Sequence, residues 1–322
     1  MESEIITIYV ICDEFLRAIN HHEDNQIEMS DAEVMTTALV AMLKYGGNYA
    51  EARRQLADQG YVPGMLSESR FSRRLNRIGH LFVLLFAMLA NTWKSLNPDN
   101  VYALDTFPIP VCDNIRISRA RIYQTEQYRG YIASKRRYFY GLKIYILVTQ
   151  TGEPVEFFFS PGGDSDVLHL DQFDFNLPPG STVYADKAFT HYLIEDCLAE
   201  DGQIDLSPYR KKNSTRPVPP WIRFLQQRFR KIVETSASLV ERLLPKHIHA
   251  TNAAGFELKV ILFIVAFSFD RLLSAAPSGT GFQTVHAPAR CRCHTLPLDP
   301  GVRRQGRNAE RRGQPIRVLT PR

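Results

Sequence analysis

The chain has 322 residues, 44% hydrophobic and 23% charged, an ordinary balance for a protein able to bury a sizeable core. Five cysteines (Cys12, Cys112, Cys197, Cys291, Cys293) show no paired zinc spacing and fit a reducing compartment better than a disulfide framework. The longest apolar stretches, Leu81–Ala90 and Val260–Phe269, fall short of a membrane span, so a soluble, cytoplasmic protein is expected.

The formal charge of +5 is unevenly distributed. Residues 274–322 hold nine Arg, no Lys and two acids (Asp299, Glu310), which leaves residues 1–273 slightly acidic. Within those, Ile115–Lys143 carries eight basic residues and one acid, Glu126, and Tyr209–Lys231 carries eight and none. Such blocks suit a polyanionic partner.

Residues 1–97 read as helical. Ile5–Ile19 has helical apolar spacing, and Ser30-Asp-Ala-Glu33 is a capping-box pattern ahead of Val34–Leu43, which stops at Gly46-Gly47. Asn48–Gln59 reads as a short helix and Tyr61-Val-Pro-Gly64 as a turn. Ser67–Ile78 then carries Arg70, Arg73, Arg74 and Arg77 at i, i+3, i+4 and i+7, one helix face, in an arrangement that resembles a helix-turn-helix. The alternative is a bundle that supports the next domain.

From about Tyr102 the periodicity changes. Strands are predicted at 101–106, 138–148, 155–159, 181–185 and 204–207, with helices at 166–173, 191–200, 221–244 and 256–273. The first strand should stop at Pro108-Ile-Pro110, because proline cannot continue a central strand. Three strands, helix, strand, helix, strand, helix is the order of a ribonuclease H-like mixed sheet flanked by helices. Residues 98–273 would form that domain after an all-helical 1–97. Residues 274–322, with six Pro, five Gly and no periodicity, are expected to be disordered, in the manner of read-through or frameshifted sequence.

Two apolar strands each end in an acid, Val101–Asp105 and Ser181–Asp186, and Glu234 lies on the last long helix of that order. A carboxylate in such a setting needs a donor, a cation or a metal. The fold would set Asp105 beside Asp186 and bring Glu234 across, making one site for Mg²⁺, with Mn²⁺ as an alternative. Two ions about 3.5–4 Å apart activate a nucleophile and stabilise the leaving oxygen in phosphodiester chemistry. Asp105 would bridge them, with Asp186 and Glu234 completing one ion each. Glu241, seven residues on, is the second choice for the third ligand; Asp164 and Asp166 read as helix caps. Lys135, Arg136, Arg137, Lys143, Lys187, Lys211, Lys212 and Arg230 are placed to hold phosphates.

These residues also resemble a family. Tyr102-Ala-Leu-Asp105-Thr-Phe-Pro-Ile-Pro-Val-Cys112, Arg129–Lys143, Val183-Tyr-Ala-Asp-Lys-Ala188 and Val233-Glu234-Thr235 are similar to DDE transposases of bacterial insertion sequences, specifically the insertion-sequence-982 family. The resemblance covers about residues 5–273. It implies a catalytic triad of Asp105, Asp186 and Glu234, Mg²⁺ dependence, and cutting and joining at terminal inverted repeats and target DNA by a homodimer or larger assembly. Related transposases place Tyr, Arg and Lys around the Glu as Y-x₂-R-x₃-E-x₆-K; here Arg230 and Glu234 match, while Gln227 and Glu241 stand for the Tyr and Lys. The competing readings are a metal-dependent nuclease without strand transfer and an inactive DNA-binding remnant.

Overall fold

The computed structural model describes residues 2–24, 26–132, 135–210, 214–244, 248 and 250–275, with the side chains of 114, 115 and several of 230–243 excepted. The expected disorder of 274–322 therefore lies outside the described residues, apart from the last two residues of the final helix.

Five helices come first: α1 (Glu2–Ala18), α2 (Asp31–Tyr45), α3 (Tyr49–Asp58), α4 (Glu68–Arg77) and α5 (Gly79–Ser95). The start of α2 is the capping box read in the sequence. Ser30 Oγ accepts the Glu33 N–H at 3.1 Å, and Glu33 Oε2 accepts the Ser30 N–H at 2.6 Å. Its end is Gly46 in the left-handed region, φ 55°, where a side chain would be strained. Residues on every side of α2 are buried, so it is the centre of a bundle rather than a surface helix.

That bundle is completed from the other end of the chain. Helix α8 (Ala253–Ala275) packs on α2 and α5, with Val260–Phe269 buried throughout. Trp93 Nε1 on α5 donates to Ser268 Oγ on α8 at 2.9 Å. One continuous apolar core runs from Ile5 to Phe269, so the change from helices to strands near residue 97 is not a break in packing. Residues 59–67 separate α3 from α4, whereas a helix-turn-helix joins its helices through a turn of roughly 3–4 residues. No single described helix is long and apolar enough to cross a membrane.

The sheet follows: β1 (Val101–Asp113), β2 (Arg129–Ile132), β3 (Arg137–Thr149), β4 (Pro154–Pro161), β5 (Thr182–Ala185) and β6 (Asp205–Pro208), with α6 (Tyr192–Gly202) before β6 and α7 (Pro220–Leu243) after it. Its order is β4-β3-β1-β5-β6, with β2 beside the first residues of β3. β1, β3 and β4 are antiparallel neighbours, and β1, β5 and β6 are parallel. This is the ribonuclease H-like fold. Helix α5 lies on β4, and α7 on β1 and β5.

The first strand does not stop at its prolines. β1 runs on through Pro108 and Pro110 to Asp113, paired with β3 and bulged between Pro110 and Cys112. β5 pairs only Val101–Leu104, so beyond Leu104 one edge of β1 faces no strand among the described residues. A proline whose missing N–H faces that edge removes no ladder bond. The segment 166–173 forms a 3₁₀-helix, Asp166–Gln172.

Candidate active site

The last parallel rung of β1 and β5 pairs Leu104 with Ala185. Asp105 and Asp186 are the next residue on each strand. Residues at one rung of a parallel pair point to the same face, so the two carboxylates project together from the C-terminal ends of neighbouring strands. Asp186 begins the 3₁₀ turn Lys187–Phe189, yet its side chain does not cap it.

Helix α7 covers this face. Phe229 stacks on Tyr184 of β5, centroids 4.5 Å apart and planes 3° apart. One turn earlier, Gln226 Nε2 donates to Ser207 O, Ser207 Oγ and Pro208 O at 3.3, 3.2 and 3.1 Å. These contacts fix the register of α7, and Glu234, eight residues after Gln226, falls over the strand ends. Leu104, Asp105, Tyr184, Ala185, Asp186, Gln226 and Glu234 line one cavity of about 40 Å³.

The electrostatics are those of crowded acids. Burial, first, pushes the Asp105 carboxyl up to about 7, with Asp186, Asp166 and Glu234 adding to the rise. The Thr106 N–H, which donates to Asp105 Oδ1 at 2.7 Å, opposes it. Asp105 keeps part of its surface open to the cavity, yet enough protein surrounds its carboxyl for desolvation to dominate. Hard oxygen donors gathered where they repel one another fit a divalent cation such as Mg²⁺ or Mn²⁺.

Residues 96–249 match the family model described as a transposase DDE domain. That stretch is a DDE transposase domain. No curated protein matches it. One similar solved structure is described as a Mos1 transposase paired-end complex with left transposon end; at 13% identity it covers 74% of this chain and 88% of that one, with a TM-score of 0.22, too loose a superposition to relate residues. DDE transposases use divalent metal ions, and the three carboxylates of the cavity could hold one.

The cations predicted from the sequence are placed in three ways. Arg70, Arg73 and Arg77 are exposed on α4, Arg70 3.4 Å from Glu28. Arg74 is not on that open face. Its Nε lies 2.7 Å from Asp31 and its guanidinium 3.5 Å from Glu23, and it is only 14% exposed. Lys135 and Arg136 are exposed in the turn before β3, and Arg137, half exposed, pairs with Asp113 at 3.1 Å. Lys143 turns inward instead, donating to the Asp164 carbonyl at 2.6 Å and to Asp166 at 3.0 Å. Lys187 is exposed just after Asp186. Lys211 and Lys212 lie outside the described residues, as do the side chains of Arg230 and Glu241.

Asp164 and Asp166 are not the helix caps the sequence suggests. Ser165 takes the N-cap position without a side-chain bond, Asp164 binds His169 Nε2 at 2.8 Å, and Asp166 engages Lys143 close enough to Asp105 to raise its pKa. Sequence reasoning misses Gln226. Its one sequence signal is a separation of eight from Glu234, which puts both on one helix face. A second group of metal-type ligands, His21, Glu23 and Asp31, has its atoms within 4.8 Å of one another, but the Arg74 guanidinium already pairs with both of its carboxylates.

Proposed function

We propose that this transposase, of the insertion-sequence-982 family, cuts DNA at the terminal inverted repeats of its element and joins the freed 3′-hydroxyls to target DNA. The observation that carries the reading is the meeting of Asp105, Asp186 and Glu234 in one cavity at the ends of two parallel strands. Asp105, central among the acids, would hold Mg²⁺ together with Asp186 and Glu234. When bound, the ions lower the pKa of the attacking hydroxyl and stabilise the charge that develops on the phosphoryl and leaving oxygens.

The protein's own groups supply the rest. Strand ends and α7 fix the carboxylates in place, so little reorganisation accompanies the reaction. Lys187, beside Asp186, and the exposed Lys135 and Arg136 draw the phosphate backbone toward the cavity. Arg70, Arg73 and Arg77 form a separate cationic strip for end DNA. Serving two element ends calls for a homodimer or larger assembly. The test uses a labelled duplex bearing the terminal repeat and a supercoiled target plasmid. Repeat-dependent nicks followed by joined products are expected with Mg²⁺; nicks that never yield joined product would make the chain a nuclease.

A further inference from the structure

Gln226, one of the residues lining the cavity, holds an unanswered acceptor. The residue is 3% exposed. Its Nε2 end is engaged by three acceptors of β6, two of them main-chain carbonyls. Reversing the amide would press Oε1 against those carbonyls, so its orientation is fixed. Oε1 is then left buried with no hydrogen-bond partner among the described residues. An unmatched buried acceptor is costly, and in a native structure it calls for a partner.

That partner must donate or be a cation. Phosphate oxygens of DNA and ionised carboxylates only accept, so neither substrate backbone nor Asp105, Asp186 and Glu234 in their charged forms can serve. Water can. A cavity needs roughly 10–15 Å³ to hold one water, and this one, about 40 Å³, is lined by Gln226 together with the three acids. Mg²⁺ sheds its waters reluctantly and keeps several of them when few protein ligands hold it. A water polarised by the ion is a strong donor.

We propose that Gln226 is a positioning residue of the metal site: its Oε1 accepts a hydrogen bond from a water of the divalent ion's shell. One side chain then does two things. Its nitrogen anchors α7, and with it Glu234, to the end of β6, and its oxygen orients the ion's hydration. Groups that orient a metal's ligands from outside typically change affinity 10–100-fold when removed. The proposal rests on the reading of the cavity as a metal site.

The experiment titrates Mn²⁺ alone against the full chain without DNA, following free Mn²⁺ by electron paramagnetic resonance. Gln226→Met and Gln226→Glu both lose the three Nε2 bonds, but only the glutamate keeps an oxygen acceptor in place of Oε1. Gln226→Met should bind Mn²⁺ about tenfold or more weakly, and Gln226→Glu more tightly than Gln226→Met. Ser207→Ala, which removes one Nε2 partner and leaves Oε1 untouched, should keep wild-type affinity. Equal weakening in Gln226→Met and Gln226→Glu, or in Gln226→Met and Ser207→Ala, would reduce the residue to an anchor and overturn the proposal, as would wild-type binding by Gln226→Met. Asp105→Ala reports separately on the cavity: wild-type Mn²⁺ binding by that variant removes the metal site itself, whatever Gln226 does.

Discussion

Replacing Glu156 by Gln should stabilise the protein above neutral pH, and the size follows from its surroundings. Glu156 is 7% exposed on β4, where the helical bundle meets the sheet. One carboxylate oxygen accepts the Asp174 N–H at 2.7 Å; the other is buried with no hydrogen-bond partner among the described residues. Lys94 on α5 is near enough to help, while its Nζ donates to the Asn176 carbonyl at 2.8 Å. Burial outweighs the Asp174 bond and Lys94, and lifts Glu156 from the ordinary 4.5 to about 7. The folded state therefore holds this proton more tightly than the unfolded state. The stabilisation is fully present below pH 4.5 and is lost as pH rises through 7. At 1.36 kcal/mol per unit, the loss is about 3 kcal/mol. Glutamine keeps an acceptor for Asp174 and cannot ionise. Urea denaturation at pH 5 and pH 8 should show wild type and Glu156→Gln close together at the lower pH, with the variant ahead by up to about 3 kcal/mol at the higher. A variant that tracks the wild type at both values, or falls below it at pH 8, refutes the reasoning.

Arg74→Ala should destabilise by about 3 kcal/mol, because it leaves Asp31 and Glu23 without their cation in a half-buried site, whereas Arg73→Ala should stay within about 0.5 kcal/mol; the same denaturation series measures both. Arg70→Ala, Arg73→Ala and Arg77→Ala should each weaken DNA binding and flatten its salt dependence, by about 0.9 in log–log slope for every phosphate the side chain had neutralised, read by titration at several salt concentrations. Because the folded Asp105 pKa is raised to about 7, its proton competes with the ion. Mn²⁺ affinity should therefore fall nearly tenfold from pH 8 to pH 6, and flat affinity across that range would deny Asp105 a ligand's role.

What could be read from the sequence was what local chemistry decides. Ser30 and Glu33 cap α2, Gly46 ends it, and each apolar run closed by Asp105 or Asp186 is a strand, because short-range pattern suffices for caps and strand cores. What could not be read depends on partners far along the chain. Helical spacing puts Arg74 on the face of Arg70 and Arg77, but Asp31 and Glu23 draw it inward. Lys143 reads as a phosphate holder until Asp166 folds against it. Whether Pro108 and Pro110 break β1 turns on how far β5 reaches, a fact of the sheet and not of the strand. The boundary near residue 97 marks a real change of periodicity, yet α8 returns from far along the chain to fill the bundle. Gln226 carries no charge to attract notice; only its bonds to β6 and its place beside Glu234 give it meaning.

The central claim is that Asp105, Asp186 and Glu234 act together as the ion-binding centre of DNA cleavage. The most direct test is strand cleavage at the terminal repeat by Asp105→Ala, Asp186→Ala, Glu234→Ala and Glu241→Ala, with binding to the same duplex measured alongside. The first three should lose cleavage while DNA affinity stays near wild type, and Glu241→Ala should still cut. Cleavage that survives Glu234→Ala but disappears in Glu241→Ala would show that the cavity's third ligand is the wrong glutamate.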